Sequence, residues 1–178
     1  AGFPLLGIPV DEATIKKLAE ESLTSPQLMQ LLCLEAAGVF SGTTDREVPK
    51  VCELASASTN ASTIIGVLRN GPASHGKERM QYSLKSGGEG DNYSLLLQAL
   101  RGNPPKLSLS LDELRNRIQD AIQSSDGPQR NQVTTSLNKW NEILLKRDPP
   151  DRVLEWRESP PTLTIIDPYF LFHLRWRD

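Results

Sequence analysis

Six polar side chains near the C-terminal third fall on one face of a helical repeat and could do binding chemistry: Arg130, Asn131, Thr134, Thr135, Asn138 and Lys139. They lie opposite the apolar positions Val133, Leu137, Trp140 and Leu144, and Arg157 follows in an extended stretch. Guanidinium, amide, hydroxyl and ammonium groups grouped in this way can hydrogen-bond phosphates and base edges in the major groove of double-stranded DNA. The charge behind them is thin. From Gln129 to Arg157 there are six basic residues (Arg130, Lys139, Lys146, Arg147, Arg152, Arg157) and four acidic ones (Glu142, Asp148, Asp151, Glu155). A few phosphate contacts release few counterions and give weak, salt-sensitive binding. Two readings of this face therefore stand side by side, a DNA contact and a protein-facing regulatory surface, against the background of an ordinary polar helix face. Trp140, Trp156 and Trp176 read as core or interdomain packing in preference to base stacking.

Other reactive residue types form no catalytic pattern. His75 sits in a Gly-rich stretch and His173 in an aromatic one, neither beside a residue that would make it a base or a ligand. Cys33 and Cys52 read as small buried hydrophobes with no metal-site spacing, which fits a reducing cytoplasm. Asp112, Glu113 and Asp120 alternate with Arg115 and Arg117 as on a solvated helix face. Gly87-Gly-Glu-Gly90 has the glycines of an anion-binding loop, but Glu89 and Asp91 would repel an anion, and a flexible hinge is the better reading. No Gly-x-x-x-x-Gly-Lys-Ser/Thr segment occurs, so the chain has no phosphate cradle of that kind and is not expected to be an enzyme by itself. Neither a metal nor a cofactor is expected for this chain alone.

The elements that must carry these residues can be read from capping and periodicity. With 178 residues, 38% hydrophobic and 24% charged, the chain suits two small helical modules, and 13 prolines with 12 glycines imply several loops. A net charge of −2 creates no global field toward a polyanion. No apolar run is long enough for a bilayer and no leader pattern opens the chain, so no membrane partner is expected. Phe3 to Pro9 reads as a connecting segment from a longer protein.

Asp11 caps a helix with Ile15, Leu18 and Ala19 inward. Pro26 opens a very apolar helix that Gly38 closes, and Asp45–Ala55 and Ser62–Arg69 are weaker helices. Asp91 caps a helix with Tyr93, Leu96, Leu97 and Leu100 inward. Lys106–Ser110 is a short strand, and Ser110 with Glu113 makes a capping box for a helix bearing Leu111, Leu114, Ile118 and Ile122. After Gly127-Pro128 comes the helix with the polar face, then two extended arms, Arg152–Trp156 and Thr162–Ile166, around Ser-Pro-Pro. Asp167-Pro168 starts a terminal helix whose Phe170, Leu171, Leu174 and Trp176 need a packing surface. Helix, strand, helix, helix, strand, wing, strand is the order of a winged helix. The predicted fold is mainly α: a small helical lid-like bundle at 1–72, a linker or hinge at 73–90, and a winged helix (helix-turn-helix plus a short β-hairpin wing) at 91–178.

Taken together, Pro9-Val-Asp-Glu-Ala-Thr-Ile-Lys-Lys-Leu-Ala-Glu-Glu-Ser22, Thr24-Ser-Pro-Gln-Leu-Met-Gln30 and Leu163-Thr-Ile-Ile-Asp-Pro-Tyr-Phe-Leu-Phe-His-Leu-Arg-Trp176 resemble the C-terminal lid and winged-helix region of bacterial AAA+ and STAND-type P-loop ATPases. The resemblance implies that Thr24, Ser25, Pro26 and Gln27 would lie near the adenine of ATP or ADP once an ATPase core, in the same chain or a partner, is present. It further implies a lid that moves with nucleotide state. Thr24 stands where the family has Gly, and Gln27 where some members carry a sensor arginine. The expected function is a non-catalytic regulatory module that couples nucleotide state to a protein partner or to DNA. The alternative is a free-standing DNA-binding regulator.

Overall fold

A computed structural model describes residues 3–43, 47–73, 78–147 and 152–177. The described chain is mainly helical, with two small antiparallel sheets. It divides into two compact units. One combines residues 1–61 with the C-terminal 168–178, and the other is the intervening 62–167.

In the first unit, α1 (Glu12–Glu21) starts where the Asp11 carboxylate accepts the Thr14 N–H at 2.6 Å. That bond holds the Asp11 carboxyl below its usual range. Helix α2 (Pro26–Phe40) is capped by Ser25 and buries Leu28, Leu32, Ala36 and Phe40 at successive i,i+4 positions. It runs past Gly38, contrary to the sequence expectation. Burial of Phe40 in the same stripe outweighs the roughly 1 kcal/mol helix penalty of one glycine, and the left-handed glycine of this corner is Gly42 instead. The inward face of α1 also differs: Thr14 and Leu18 are buried, whereas Ile15 and Ala19 are exposed. Helix α3 spans Val48–Ala57, and the predicted start at Asp45 lies outside the described residues.

The second unit contains α4 (Ser62–Asn70), β1 (Tyr82–Ser83), β2 (Glu89–Gly90), α5 (Asn92–Leu100), β3 (Ser108–Ser110), α6 (Leu111–Ala121), α7 (Arg130–Leu145), β4 (Leu154–Glu158) and β5 (Pro161–Ile165). Helix α5 is its centre, buried at Tyr93, Leu95, Leu96, Leu97, Ala99 and Leu100 and packed by α4, α6 and α7. The three-stranded sheet has the order β3-β5-β4, antiparallel throughout. Leu163 is its middle inward residue, paired with Leu109 on one side and Trp156 on the other. The Asp91 cap and the inward stripes of α6 and α7 are as the periodicity predicts.

Within 73–90, read from the sequence as a linker or hinge, the described residues include a hairpin. Ser86–Gly90 is the turn and return strand of the β1/β2 hairpin, with Gly87 and Gly88 in left-handed conformations. The hairpin is bonded to the end of α6 through Lys85 N–H to Ala121 O (2.9 Å) and Gln123 N–H to Ser83 O (3.0 Å). The glycines there meet a backbone demand of the turn. Upstream, Gly71 (φ +59) lies against the Tyr93 ring, and Arg79 reaches back to Pro72 O, pairs with Asp91 at 2.7 Å and stacks on Tyr93. His75 falls outside the described residues.

The terminal helix α8 (Pro168–Trp176) belongs to the first unit, where the sequence boundaries had grouped it with the second. Phe170, Leu171, Phe172 and Leu174 are fully buried there, and α8 packs on α3. Six hydrophobic residues in nine leave little choice but a helix enclosed by others.

Candidate functional site

The polar face of α7 is set by what its other face does. Val133, Leu137, Trp140 and Leu144 are buried, and the Trp140 indole donates to Leu68 O at 2.8 Å. Asn141 bonds both backbone groups of Trp156, donating to its carbonyl at 2.8 Å and accepting its N–H at 3.0 Å. That pair fixes β4 along α7, so the hairpin and the helix present their polar groups as one rigid patch. The helix start is closed by the Gln129 N–H bonding Gln132 Oε1 at 2.7 Å.

The predicted binding residues do come to the surface, but already partnered. Arg130 pairs with Asp112 of α6 at 2.8 Å, Lys139 with Glu142 at 2.8 Å, and Arg157 with Glu155 at 3.1 Å. The Asn138 amide donates to Glu158 of β4 at 2.8 Å. The Thr134 hydroxyl donates to Arg130 O at 3.0 Å, and the Asn131 side-chain oxygen accepts the Gln132 N–H at 2.8 Å. Thr135 is exposed, and together with Gln129, Arg130, Asn131 and Thr134 it lines a shallow depression at the start of α7. Mutual pairing pushes the Lys139 ammonium up and the Glu142 carboxyl down from their usual ranges. Each of the three cations on this face thus has its own carboxylate.

Helix α6 departs from the solvated face read in the sequence. Arg117 is 11% exposed and turns its guanidinium onto the end of α5, donating to Ala99 O (3.3 Å), Gly102 O (3.1 Å) and Pro104 O (2.8 Å). These are carbonyls at the negative end of a helix, where a cation is stabilised. Ser110 accepts the Glu113 N–H at 3.2 Å, while the Glu113 carboxylate is taken by Lys106 (2.8 Å) and Arg117 (3.4 Å).

The predicted nucleotide-side residues Thr24, Ser25, Pro26 and Gln27 form the α1–α2 turn. Leu23 (φ 53) and Thr24 (φ 61) are both left-handed, Ser25 caps α2 by accepting the Leu28 N–H at 3.3 Å, and Thr24, Pro26 and Gln27 are exposed. A β-branched residue in this region is a conformational outlier.

The remaining reactive groups named from the sequence and described in the structure, His173, Cys52 and Cys33, lie in the first unit. His173 is buried and bonds the Thr59 hydroxyl at 2.9 Å; because that hydroxyl donates to Ser56 O, His173 Nδ1 is the donor. Cys52 is buried, and burial, with the Glu21 charge adding, pushes its thiol up to about 12, so it is no nucleophile at neutral pH. Cys33 is only half-buried, against the sequence expectation. It faces an apolar groove of about 270 Å³ with Phe3, Leu6, Ile15, Met29, Leu34 and Ala37. Among the described residues, no three His, Cys, Asp or Glu side chains converge as metal ligands would, and no single helix is long and apolar enough to cross a membrane.

The carbonyl contacts of Arg117, the bonds of Asn141 to Trp156 and the packing of Arg79 on Asp91 and Tyr93 carried no sequence signal. Their partners lie on other elements, and no local pattern encodes them. No family model, curated protein or solved structure matches this chain.

Proposed function

We propose that the segment from α5 to β5 is a winged helix, and that the chain is a non-catalytic regulatory module whose α7–β4 face meets a protein partner. The pairing order supports the first part. The strand before the helix pair, β3, joins β5, and β5 joins β4 of the hairpin that follows α7. The charge pairing of Arg130, Lys139 and Arg157 carries the second. A DNA phosphate would have to displace a carboxylate at each cation and leave that carboxylate beside the polyanion, whereas a protein surface of mixed charge can exchange partners with both members of each pair.

The wider setting we infer is the lid and winged helix of a P-loop ATPase. The Leu23–Gln27 turn supports it, because Thr24 takes the left-handed conformation that the family's glycine would take. In that setting ATP or ADP bound by an ATPase core would bear on Pro26 at the start of α2, and the winged helix would report its state to the partner. DNA is the second reading, favoured by the exposed polar group at the start of α7.

A photo-crosslinking residue at position 135 of this protein in its native host separates the two. We expect an adduct that protease destroys and nuclease does not, with a yield that changes when ATP is depleted. A nuclease-sensitive adduct would replace the protein-facing reading with DNA binding.

A further inference from the structure

The two left-handed residues of the α1–α2 turn, Leu23 and Thr24, lie two and three residues beyond Glu21, which helix α8 grips. Glu21 is the last residue of α1, and its carboxylate is held at both oxygens. Arg175 donates through Nη2 to Oε1 at 2.8 Å and through Nε to Oε2 at 3.3 Å, and the Trp176 indole donates to Oε2 at 2.8 Å. The pair is partly buried, with side-chain exposures of 6% for Arg175 and 14% for Glu21. Ser22 then closes the helix onto Leu18 O, Leu23 is buried at φ 53, and Thr24 follows at φ 61 with its side chain in solvent. Ser25 N–H bonds Ser22 O at 2.9 Å and starts α2.

Leucine and threonine take left-handed backbone conformations only where neighbouring structure imposes them, and such outliers gather at switch regions. Thr24 is exposed, and Leu23 before it is buried. The end of α1 is held locally by the Ser22 hydroxyl, which donates to Ala19 O at 2.7 Å, and from α8 by side chains 154 residues away in sequence. Freed from the grip, the last turn of α1 can unwind, Leu23 and Thr24 can return to ordinary conformations, and Ser25 then leaves its capping position on α2.

We propose that the Leu23–Thr24 turn is a conformational switch held closed by α8 through the Glu21–Arg175–Trp176 clamp, so that the turn and the C-terminal helix release together. This holds whether or not a nucleotide approaches Pro26. It couples α8 to the start of α2 through Glu21 at the end of α1.

The test is residue-resolved amide hydrogen exchange on the 178-residue protein, comparing wild type with Trp176→Phe, Glu21→Gln and each combined with Thr24→Asn. Trp176→Phe removes one hydrogen bond and keeps an aromatic side chain, so the fold survives where Glu21→Gln fails. Expected are tenfold or greater increases in exchange at Ser25, Leu28 and Met29 and, by a similar factor, at Leu174 to Arg177, with Leu95 to Ala99 unchanged. Asparagine accepts the left-handed conformation, so Thr24→Asn should restore protection in the turn while α8 stays fast. Faster exchange in α8 alone, or a turn that Thr24→Asn does not rescue, would overturn the switch and leave the clamp a local anchor.

Discussion

Gly71 shows how a single backbone position can be decided by a residue far along the chain. It sits at φ +59, and a Cβ there would come within 2.6 Å of the Tyr93 ring. Tyr93 cannot retreat readily, since it is buried beneath Arg79, which is itself tied to Asp91 and Pro72. Both left-handed strain and overpacking act against a side chain. Gly71→Ala should therefore destabilise the protein by about 2–3 kcal/mol, seen as a lower midpoint in urea with an unchanged slope. A substitution without cost would show that the loop over Tyr93 is loose. In the sequence this glycine reads as part of a linker, because the ring that demands it lies 22 residues later.

At the scale of elements, α6 is held by charges that titrate. Hydrogen bonding and charge from Lys106, with a further contribution from Arg117, hold the Glu113 carboxyl below its ordinary value of 4.5. A carboxyl depressed in the folded state contributes stability above its unfolded value, and that contribution fades as pH falls through the folded value. Stability carried by the start of α6 should thus be intact at neutral pH and decline below about pH 4.5. Glu113→Gln should lower the neutral-pH midpoint slightly and flatten the acid limb of a denaturation series, while equal slopes in both proteins would refute the linkage. The capping serine and its partner were legible from Ser110 and Glu113 alone. That the carboxylate would turn instead to Lys106 and Arg117 was not, because Arg117 faces inward only when the end of α5 lies beneath it.

For the whole molecule, the decisive feature is that the chain returns to its first unit. Four fully buried side chains of α8, Phe170, Leu171, Phe172 and Leu174, belong with α3 and the N-terminal helices. Burial of one such side chain contributes roughly 1.5–3 kcal/mol, so four together rival the whole stability of a small domain. A chain ended after Asp167 should lose protected amides throughout α1–α3 while α5–α7 keep theirs, as read by hydrogen exchange. Retention of both sets would show that α8 is dispensable to the first unit. The same division explains why boundaries drawn at 72 and 91 do not follow the compact units: composition marks loops, but the membership of α4 and α8 is a matter of packing.

Local chemistry was enough to place nearly every element. The Asp11, Asp91 and Ser110 caps, Pro26 at the start of α2, the i,i+4 stripes of α6 and α7 and the alternating arms of the hairpin depend on neighbours within a few residues, so a sequence carries them directly. It also identified the polar face of α7, since helical spacing alone sorts Arg130, Thr134 and Lys139 from Val133 and Leu137. Tertiary structure decided what the long-range cations meet: Asp112 from α6 beside Arg130, the carbonyls at the end of α5 beneath Arg117, and Glu21 beside Arg175. Electrostatic partners depend on distance in space, and a one-dimensional charge count registers a surplus of two where the folded face holds matched pairs.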